Sequence, residues 1–459
     1  MKVIEEEPRI RVMQGEWSVE GAARDIVEGG AQEDPFYIMD LGEVAARYRR
    51  WRELMPRVEP FYAVKCNDDK VLVRTLAALG AGFDCASRNE IELITGLGVA
   101  PDRIIFANPA KMASHIRHAS AVGVDTMTFD SEPELMKIKQ YMPHAQLVLR
   151  IRCDAAAAQC PLGIKFGCDP GTDAPRLLKL AAVLGLEVVG ISFHVGSGCG
   201  ETAVYARAVQ YSRALFTLGA ALGHPRMRLL DIGGGFPGGA HSSIKEVSLV
   251  INEALETHFP DRSVRVIAEP GRYFAAAAYS LAVMIHAKRE IVTKDASGED
   301  ETHTMYFMND GVYGSFNCVL YDHQQVEATT LYPHTEKPLP CSIWGPTCDS
   351  LDCVLPSTRL PPLPVGSWLL FRDMGAYTMP VASPFNGFPL PKVRTLVDHH
   401  LWSVLKGLWP LAESQFEPNL GRVPAPQTPP PSPPEERRVF VECALNGAER
   451  SVQLSYCLV

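Results

Sequence analysis

The sequence predicts an α/β protein: a TIM-type (β/α)8 barrel followed by a β-rich C-terminal domain of sandwich-like or barrel-like form. Two observations carry this prediction. Short apolar runs alternate with helix-like segments between residues 36 and 279, and the alternation stops near residue 280. Eight successive βα units are typical of a closed parallel barrel. An open, doubly wound sheet remains the structural alternative.

The eight strand candidates are short and rich in β-branched and aromatic residues. Those of the barrel start regularly, at residues 60, 82, 104, 126 and 147, before the spacing widens. The candidate runs are 60–65, 82–87, 104–109, 126–131, 147–152, 188–198, 228–237 and 264–273. Helical periodicity separates them, as at residues 69–79, 90–97, 132–141 and 203–222.

The second domain is predicted over residues 280–411. Strand-like runs with turn-rich connections occur at residues 280–292, 303–308, 314–321 and 366–372, and helical periodicity returns only at 396–409. Residues 1–35 have no clear pattern, and we expect them to pack with this β domain. Residues 424–436 read PAPQTPPPSPPEE, a composition that cannot pack a core, so a disordered tail is predicted over residues 412–459.

Composition excludes several classes of protein. The 459 residues carry a net charge of −9, which argues against a nucleic-acid partner. The twelve cysteines have neither a disulfide framework nor metal-site spacing, so we expect reduced thiols and no metal. The N-terminus is acidic rather than signal-like, and the longest apolar-rich stretch, residues 273–287, is too short to span a bilayer. We therefore expect a cytoplasmic protein without a membrane partner.

Polar residues stand where the predicted barrel strands end, which is the rim that carries reactive groups in this fold. Each also has an ordinary structural explanation, such as a lysine that reaches for solvent, a strand-end histidine or an ion pair within the rim. The residues are Lys65, Asp84, Arg150, His194, the glycines 233–235, Glu269 and Arg272.

Taken together, these groups suggest one cofactor. A desolvated Lys65 amine can form a Schiff base. The glycine run 233–235 lets backbone N–H groups approach an anion, although a tight turn is the alternative explanation. The guanidinium of Arg272 can donate further hydrogen bonds to the same anion. Glu269 can keep a heterocyclic nitrogen protonated, and the flat ring of His194 can stack on a cofactor ring. A lysine, a phosphate cradle and a ring-nitrogen carboxylate are what pyridoxal 5'-phosphate requires.

A second cluster lies in the β domain. Residues 344–352 crowd the Cys348 thiol between carboxylates, and the simple interpretation is a polar turn with a buried cysteine. A thiol can also deliver a proton to a carbanion, and Asp349 and Asp322 can bind a substrate cation. The Tyr377 hydroxyl can reach a phosphate, if the ring is not simply packed in the core.

Five motifs occur in the order seen in one family. The chain resembles the eukaryotic ornithine decarboxylases, group IV of the pyridoxal-phosphate decarboxylases, a family that also includes antizyme inhibitors. The resemblance extends from about residue 35 to about residue 405. The motifs are residues 62–67 (YAVKCN), 194–198 (HVGSG), 233–237 (GGGFP), 269–273 (EPGRY) and 344–352 (WGPTCDSLD).

The resemblance implies decarboxylation of L-ornithine to putrescine by a head-to-tail homodimer with active sites at the subunit interface. It implies that Lys65 carries the Schiff base, that Glu269 pairs with the pyridine nitrogen and that His194 stacks on the ring. Asp84 and Arg150 match active-site positions near the cofactor. The phosphate would be held by Ser197, Gly234, Gly235, Arg272 and Tyr377. Cys348, as proton donor, and Asp349 would come from the partner subunit, and the substrate would also meet Asp322 and Tyr321.

Two alternatives stay open within the same family. One is a decarboxylase of lysine, arginine or an apolar amino acid, although the paired aspartates argue against an apolar substrate. The other is an antizyme inhibitor, which binds antizyme without decarboxylating. The segment 111–137, from Lys111 to Lys137, resembles the family's antizyme-binding region, and Lys111, Arg117 and His118 give it a basic character. A solvated helix face explains the same residues.

Overall fold

The computed structural model describes residues 9–30, 32–153, 158–160, 163–294 and 300–418. Most of the predicted tail, residues 419–459, lies outside the described residues. The strands are β1 (Ile10–Met13), β2 (Phe36–Asp40), β3 (Val58–Ala63), β4 (Gly82–Cys85), β5 (Ile104–Phe106), β6 (Thr126–Phe129), β7 (Gln146–Ile151), β8 (Ala158–Cys160), β9 (Glu187–Phe193), β10 (Ser197–Cys199), β11 (Leu229–Asp231), β12 (Arg265–Ala268), β13 (Tyr279–Lys294), β14 (Asp300–Met308), β15 (Ala328–Thr330), β16 (Leu339–Trp344), β17 (Cys353–Leu360), β18 (Trp368–Phe371), β19 (Lys392–Asp398) and β20 (Phe416–Pro418).

Helices follow most of the barrel strands. They are α1 (Val19–Glu28), α2 (Leu41–Leu54), α3 (Lys70–Leu79), α4 (Arg88–Gly96), α5 (Ala113–Ala121), α6 (Glu132–Tyr141), α7 (Asp173–Val183), α8 (Ala203–Ala221), α9 (Lys245–His258), α10 (Arg272–Ala275), α11 (Asn317–Tyr321) and α12 (His399–Leu405).

A closed parallel barrel forms the first part of the fold. Its strands run in the order β3-β4-β5-β6-β7-β9-β11-β12, and β12 pairs back onto β3. Each predicted run overlaps one of these strands, so the barrel is confirmed and the open sheet is not formed. The observed strands are often shorter than the predicted runs. The run 228–237, for example, stops pairing after Asp231 because Gly233 has a φ of +64°, which leaves the extended conformation.

Local capping signals set the strand–helix repeat. The Asp69 carboxylate accepts hydrogen bonds from the backbone N–H groups of Val71 and Leu72, at 2.8 and 3.1 Å, and so begins α3. The same helix ends at Gly80, which adopts a φ of +100°. Ser87 caps α4 in the same manner as Asp69 caps α3. Because every barrel strand is parallel, these short units bring all the strand carboxyl ends to one rim.

A mixed sheet forms the second part of the fold. Its strands follow the order β17-β16-β14-β13-β2-β19-β1-β20, and β18 joins through β13 and β15. The predicted boundary at residue 36 assigned β2 to the barrel, but β2 pairs antiparallel with β13 and parallel with β19 in this sheet. At the N-terminus, β1 pairs with β19 and β20, so this part of the N-terminal segment packs within the mixed sheet.

Three segments differ from the sequence prediction. The run 314–321 contains a helix, α11, instead of a strand, because the Asp310 carboxylate accepts hydrogen bonds from Gly311 N and Ser315 N and turns the chain. The predicted helix 396–409 is shorter in the structure. Strand β19 continues to Asp398, whose side chain then caps α12. The start of the tail predicted at residue 412 is wrong, since residues 416–418 form β20, which pairs with β1.

The barrel rim and the mixed sheet meet beside the end of β3. Asn67 Nδ2 donates to Gly375 O at 2.9 Å, and Tyr377 N donates to Cys66 O at 2.9 Å. A Cβ atom on Gly375 would lie 1.9 Å from Ala275 O, so only glycine allows this approach. These contacts bring the second domain onto the edge of the barrel mouth. Within the described residues, no helix combines the length and apolar character needed to cross a membrane.

Candidate active site

A cavity of about 430 Å³ opens at the rim where the barrel strands end. Most of the site residues expected from the sequence line it, together with parts of the loops after β4 and β5. The expected residues in its wall are Lys65, Arg150, His194, Ser197, Gly234, Gly235, Glu269, Arg272, Asp322 and Tyr377.

Lys65 places an amine in the wall of the cavity. It follows β3 in a short 3-10 turn, and its side chain is 39% exposed, toward the cavity. Its Nζ atom forms an ion pair with Asp84, which is fully buried on β4. Burial opposes the charged amine, but Asp84 and Glu269 outweigh this and raise the pKa of Lys65 above its usual value. The amine is therefore protonated, and a bound group must neutralise or displace Asp84 before the nitrogen can act as a nucleophile.

Glu269 and Asp231 form a buried pair of carboxyl groups below the cavity. Glu269 follows β12 and is 7% exposed, and Asp231 ends β11 and is fully buried. Burial first, and then the charges of Asp231 and Asp84, raise the pKa of Glu269 well above its usual value. Burial also raises the pKa of Asp231, to about 7. The pair therefore retains a proton at neutral pH, and a cationic ring nitrogen would favour an ionised Glu269.

His194 presents a neutral ring to the cavity. It follows β9, and its Nδ1 atom accepts a hydrogen bond of 3.0 Å from Gly196 N. Burial, helped by the charges of Arg150 and Lys65, lowers the pKa of His194 well below its usual value. A Cβ atom on Gly234 would lie 2.7 Å from His194 Nε2, so the glycine makes room for the imidazole. A neutral, flat ring of this kind is suited to stacking on an aromatic ligand.

The glycine run and Arg272 form an anion cradle at one end of the cavity. Arg272 Nη2 donates to Ser197 Oγ at 3.0 Å, and its guanidinium lies 5.1 Å from the centre of the Tyr377 ring. Gly235 has a φ of +105°, and a Cβ atom there would lie 2.7 Å from Gly196 O. Tyr377 itself has a φ of +56°, a strained backbone for a non-glycine residue.

The donor set fits a phosphate. Arg272 Nε is buried and has no hydrogen-bond partner among the described residues. An unpaired guanidinium N–H beside a glycine run and a serine hydroxyl is the arrangement that a phosphate satisfies. The Asp322 carboxylate, 2.7 Å from Arg272 Nη2, supplies the negative charge that balances this guanidinium. The cradle, the amine of Lys65 and the carboxyl of Glu269 together match the three polar ends of pyridoxal phosphate.

Four expected site residues do not line this cavity as the described residues form it. Asp84 lies buried on β4, where it pairs with Lys65. Cys348 is exposed, and its backbone N–H donates to Asn386 Oδ1 at 3.2 Å. Asp349 accepts hydrogen bonds from the Tyr313 hydroxyl and from Leu351 N, and both contacts lower its pKa. Tyr321 is 70% exposed. The resemblance expects Cys348 and Asp349 to act in a partner subunit.

Sequence reasoning missed several residues of the site. Asn108 lies in the wall just after β5, and Asp231 lies behind Glu269. One lies just after the end of a barrel strand and the other at a strand end, so a search at the end of every strand would have found them. Lys165 and Phe166 also line the cavity, and the Arg150 guanidinium lies 5.4 Å from the Phe166 ring centre. No local pattern marks these last two residues.

The basic segment 111–137 differs from its expected surface character. The Lys111 side chain is fully buried and forms an ion pair of 2.9 Å with Glu134, so it cannot meet an acidic partner. Arg117 is exposed and packs its guanidinium 5.0 Å from the Tyr141 ring centre, and His118 is half-buried. The exposed basic character of the segment is therefore smaller than the sequence indicates.

Relatives of the chain include ornithine decarboxylases and an antizyme inhibitor. Ornithine decarboxylase of Rattus norvegicus is 49% identical over 390 residues, which cover 83% of this chain and 84% of the rat protein. Antizyme inhibitor 2 of Xenopus laevis is 46% identical over 399 residues, which cover 84% of this chain and 87% of that protein.

Solved structures show the same architecture. The arginine decarboxylase of Paramecium bursaria Chlorella virus, bound to agmatine, has a TM-score of 0.77 at 37% identity and covers 82% of this chain and all of its own. The lysine/ornithine decarboxylase of Vibrio vulnificus, complexed with cadaverine, has a TM-score of 0.73 at 31% identity, with coverages of 83% and 100%. The family model described as pyridoxal-dependent decarboxylase, pyridoxal binding domain, matches residues 41–276. This chain therefore belongs to the family of pyridoxal-dependent decarboxylases.

Proposed function

We propose that this protein decarboxylates L-ornithine to putrescine. As a member of its family it is an amino-acid decarboxylase that works with pyridoxal phosphate. One observation supports the assignment of roles: a single cavity joins the Lys65 amine, the buried carboxyl of Glu269 and the Arg272 cradle. These groups suit the aldehyde, the ring nitrogen and the phosphate of one cofactor.

Each residue has a distinct role in the proposal. Lys65 holds the cofactor covalently, and Arg272, Ser197, Tyr377 and the glycines 234 and 235 bind its phosphate. Glu269 holds the charge that faces the ring nitrogen, and His194 lies against the ring. When bound, pyridoxal phosphate supplies the electron sink that accepts the electrons left by departing carbon dioxide. Asp84 pairs with the amine of Lys65, and Arg150 adds a positive charge to the cavity wall.

Substrate recognition rests on carboxylates. The distal ammonium of ornithine needs a paired negative charge when it leaves water. Asp322, buried in the cavity wall, is one such charge, and Asp349 is proposed as the second, with Tyr321 beside the substrate. Because Asp349 and Cys348 do not line the cavity that the described residues form, we propose that they act in the site of a partner subunit. Cys348 Sγ then delivers the proton to the substrate carbon.

The first experiment measures carbon dioxide release by the purified protein with added pyridoxal phosphate. Ornithine, lysine, arginine and leucine are supplied separately. We expect release from ornithine at least about tenfold above the other three, since one methylene more or less in a substrate changes kcat/KM by about 10- to 200-fold in a shaped pocket. Release mainly from lysine or arginine would keep the cofactor chemistry and overturn the assigned substrate.

The homodimer has its own test. Two inactive variants, Lys65→Ala and Cys348→Ala, are mixed in equal amounts and allowed to exchange subunits. If each site takes Lys65 from one chain and Cys348 from the other, mixed dimers hold one intact site, and about one quarter of the wild-type activity returns. Activity that stays at the level of the separate variants would contradict shared sites.

A second candidate function is supported by the similarity to antizyme inhibitor 2. In that case the segment 111–137 would bind antizyme, chiefly through Arg117 and the exposed face of α5 and α6. No carbon dioxide release from any amino acid, no retained cofactor and binding of added antizyme would favour this function. Antizyme binding by an active decarboxylase would instead lower its activity.

A cytoplasmic location is proposed on composition alone and is testable by cell fractionation.

A further inference from the structure

Lys111 is a buried lysine outside the proposed catalytic residues. It lies a few residues after β5. Ala107, Asn108 and Pro109, which lie between β5 and Lys111, line the cofactor cavity. Its side chain is 0% exposed, and burial lowers its pKa to about 8 against the opposing charge of Glu134. A buried ammonium persists only where its charge and all its protons are satisfied.

The ammonium of Lys111 has three acceptors for its three protons. Its Nζ atom lies 2.6 Å from Thr128 O, 2.9 Å from Glu134 Oε1 and 3.2 Å from Asn108 O. The Nζ atom also lies over the face of the Phe106 ring, 5.7 Å from its centre. The acceptors belong to three different parts of the barrel: the end of β6, helix α6 and the cavity wall.

The contact with Asn108 extends along the wall. Asn108 O accepts from Lys111, and Asn108 Nδ2 donates to Ala86 O at 3.2 Å. Ala86 lines the same cavity, in the loop after β4. A continuous chain of hydrogen bonds therefore runs from the buried ammonium through Asn108 to the neighbouring loop. Without the ammonium, Thr128 O would lose a donor in a buried place, and the half-buried Asn108 O would lose the contact that ties it to α6 and β6.

We propose that Lys111 is a positioning residue for the cofactor: it holds the wall formed by Ala107, Asn108 and Pro109 against β6 and α6, and so fixes the width of the cavity. This inference rests on the proposed function, because it assumes that the cavity binds pyridoxal phosphate. A wall that must be ordered when a ligand binds costs binding free energy, so loosening it is expected to weaken cofactor binding.

The test uses a pair of substitutions that leaves no lone buried charge. Lys111→Met keeps most of the side-chain volume, and Glu134→Gln neutralises its partner, so the double variant is expected to fold. Lys139→Met, an exposed lysine on α6, is the matched control. The measurements are the dissociation constant of pyridoxal phosphate, KM and kcat at saturating cofactor, the thermal midpoint and local amide hydrogen exchange.

We expect the double variant to bind the cofactor about tenfold more weakly and to raise KM, with kcat at saturating cofactor within about threefold of wild type. Amide exchange should accelerate at residues 107–110 in the cofactor-free protein and return toward wild type with cofactor. Wild-type cofactor affinity, KM and exchange at the wall, with only a lower thermal midpoint, would overturn the proposal and leave Lys111 a purely structural residue. A wild-type protein that binds no cofactor would instead contradict the proposed function.

Discussion

Replacing Lys65 with alanine is expected to lower carbon dioxide release from ornithine by about 10³-fold, which corresponds to about 4 kcal/mol of transition-state stabilisation. The reason is that Lys65, just after β3, supplies the amine proposed to hold the cofactor. Its Nζ atom pairs with Asp84, and the charges of Asp84 and Glu269 favour its protonated form. The alanine variant keeps the cradle at Arg272, so cofactor binding should weaken much less than turnover. Turnover is measured at saturating cofactor to separate the two effects.

A second lysine in the cavity wall provides the matched control. Lys165 lies 5.1 Å from the centre of the Phe166 ring and lines the same cavity. Reduction of the cofactor-loaded protein with borohydride, followed by peptide mass mapping, should place the cofactor on the peptide that contains Lys65. Label on Lys165 in the wild-type protein, or full turnover by Lys65→Ala, would contradict the assigned role. Lys65→Arg, which keeps the charge without a usable amine, should remain inactive.

Much of the site follows from strand topology. Lys65, His194, Glu269 and Arg272 each lie within a few residues of a strand end, and a parallel barrel brings all those ends to one rim. Residues that are far apart in the sequence therefore lie close together at this rim. The glycine run after β11 is also visible, because its residues adopt backbone conformations and close approaches that side chains would prevent.

The remaining parts depend on contacts that no local pattern encodes. Tyr377 reaches the site because its backbone pairs with Cys66, a residue far away in the chain. Lys111 resembles a surface lysine in the sequence, but Glu134, 23 residues further on, supplies the carboxylate that allows its burial. Phe316 and Cys318 alternate as in a strand, yet the Asp310 carboxylate turns this segment into a helix. In each case a long-range or capping contact overrides the pattern.

Replacing Glu269 with glutamine is expected to lower kcat by about 10²-fold or more, while the cofactor remains bound. The amide has nearly the shape of the carboxyl and can still hydrogen-bond, but it cannot hold a negative charge opposite a ring nitrogen. The measurement is kcat at saturating cofactor, with the absorbance spectrum of the bound cofactor as a function of pH. Glu269→Asp keeps the charge one methylene further away, and it should recover part of the lost rate.

The same substitution has a consequence in the protein without cofactor. Burial raises the pKa values of Glu269 and Asp231, the latter to about 7 from 3.8, so the folded state holds more protons than the unfolded chain between these values. Stability falls with rising pH wherever the folded state binds the extra protons, so this pair opposes folding increasingly from pH 4 to pH 7. Glu269→Gln removes one acid with a raised pKa, and its amide can still donate the hydrogen bond that Asp231 receives from Glu269. Its free energy of unfolding should therefore decline less steeply over this window, as measured by denaturant titration at several pH values. An unchanged slope would mean that Glu269 holds no extra proton in the folded protein over this window, and it would contradict the raised pKa of Glu269.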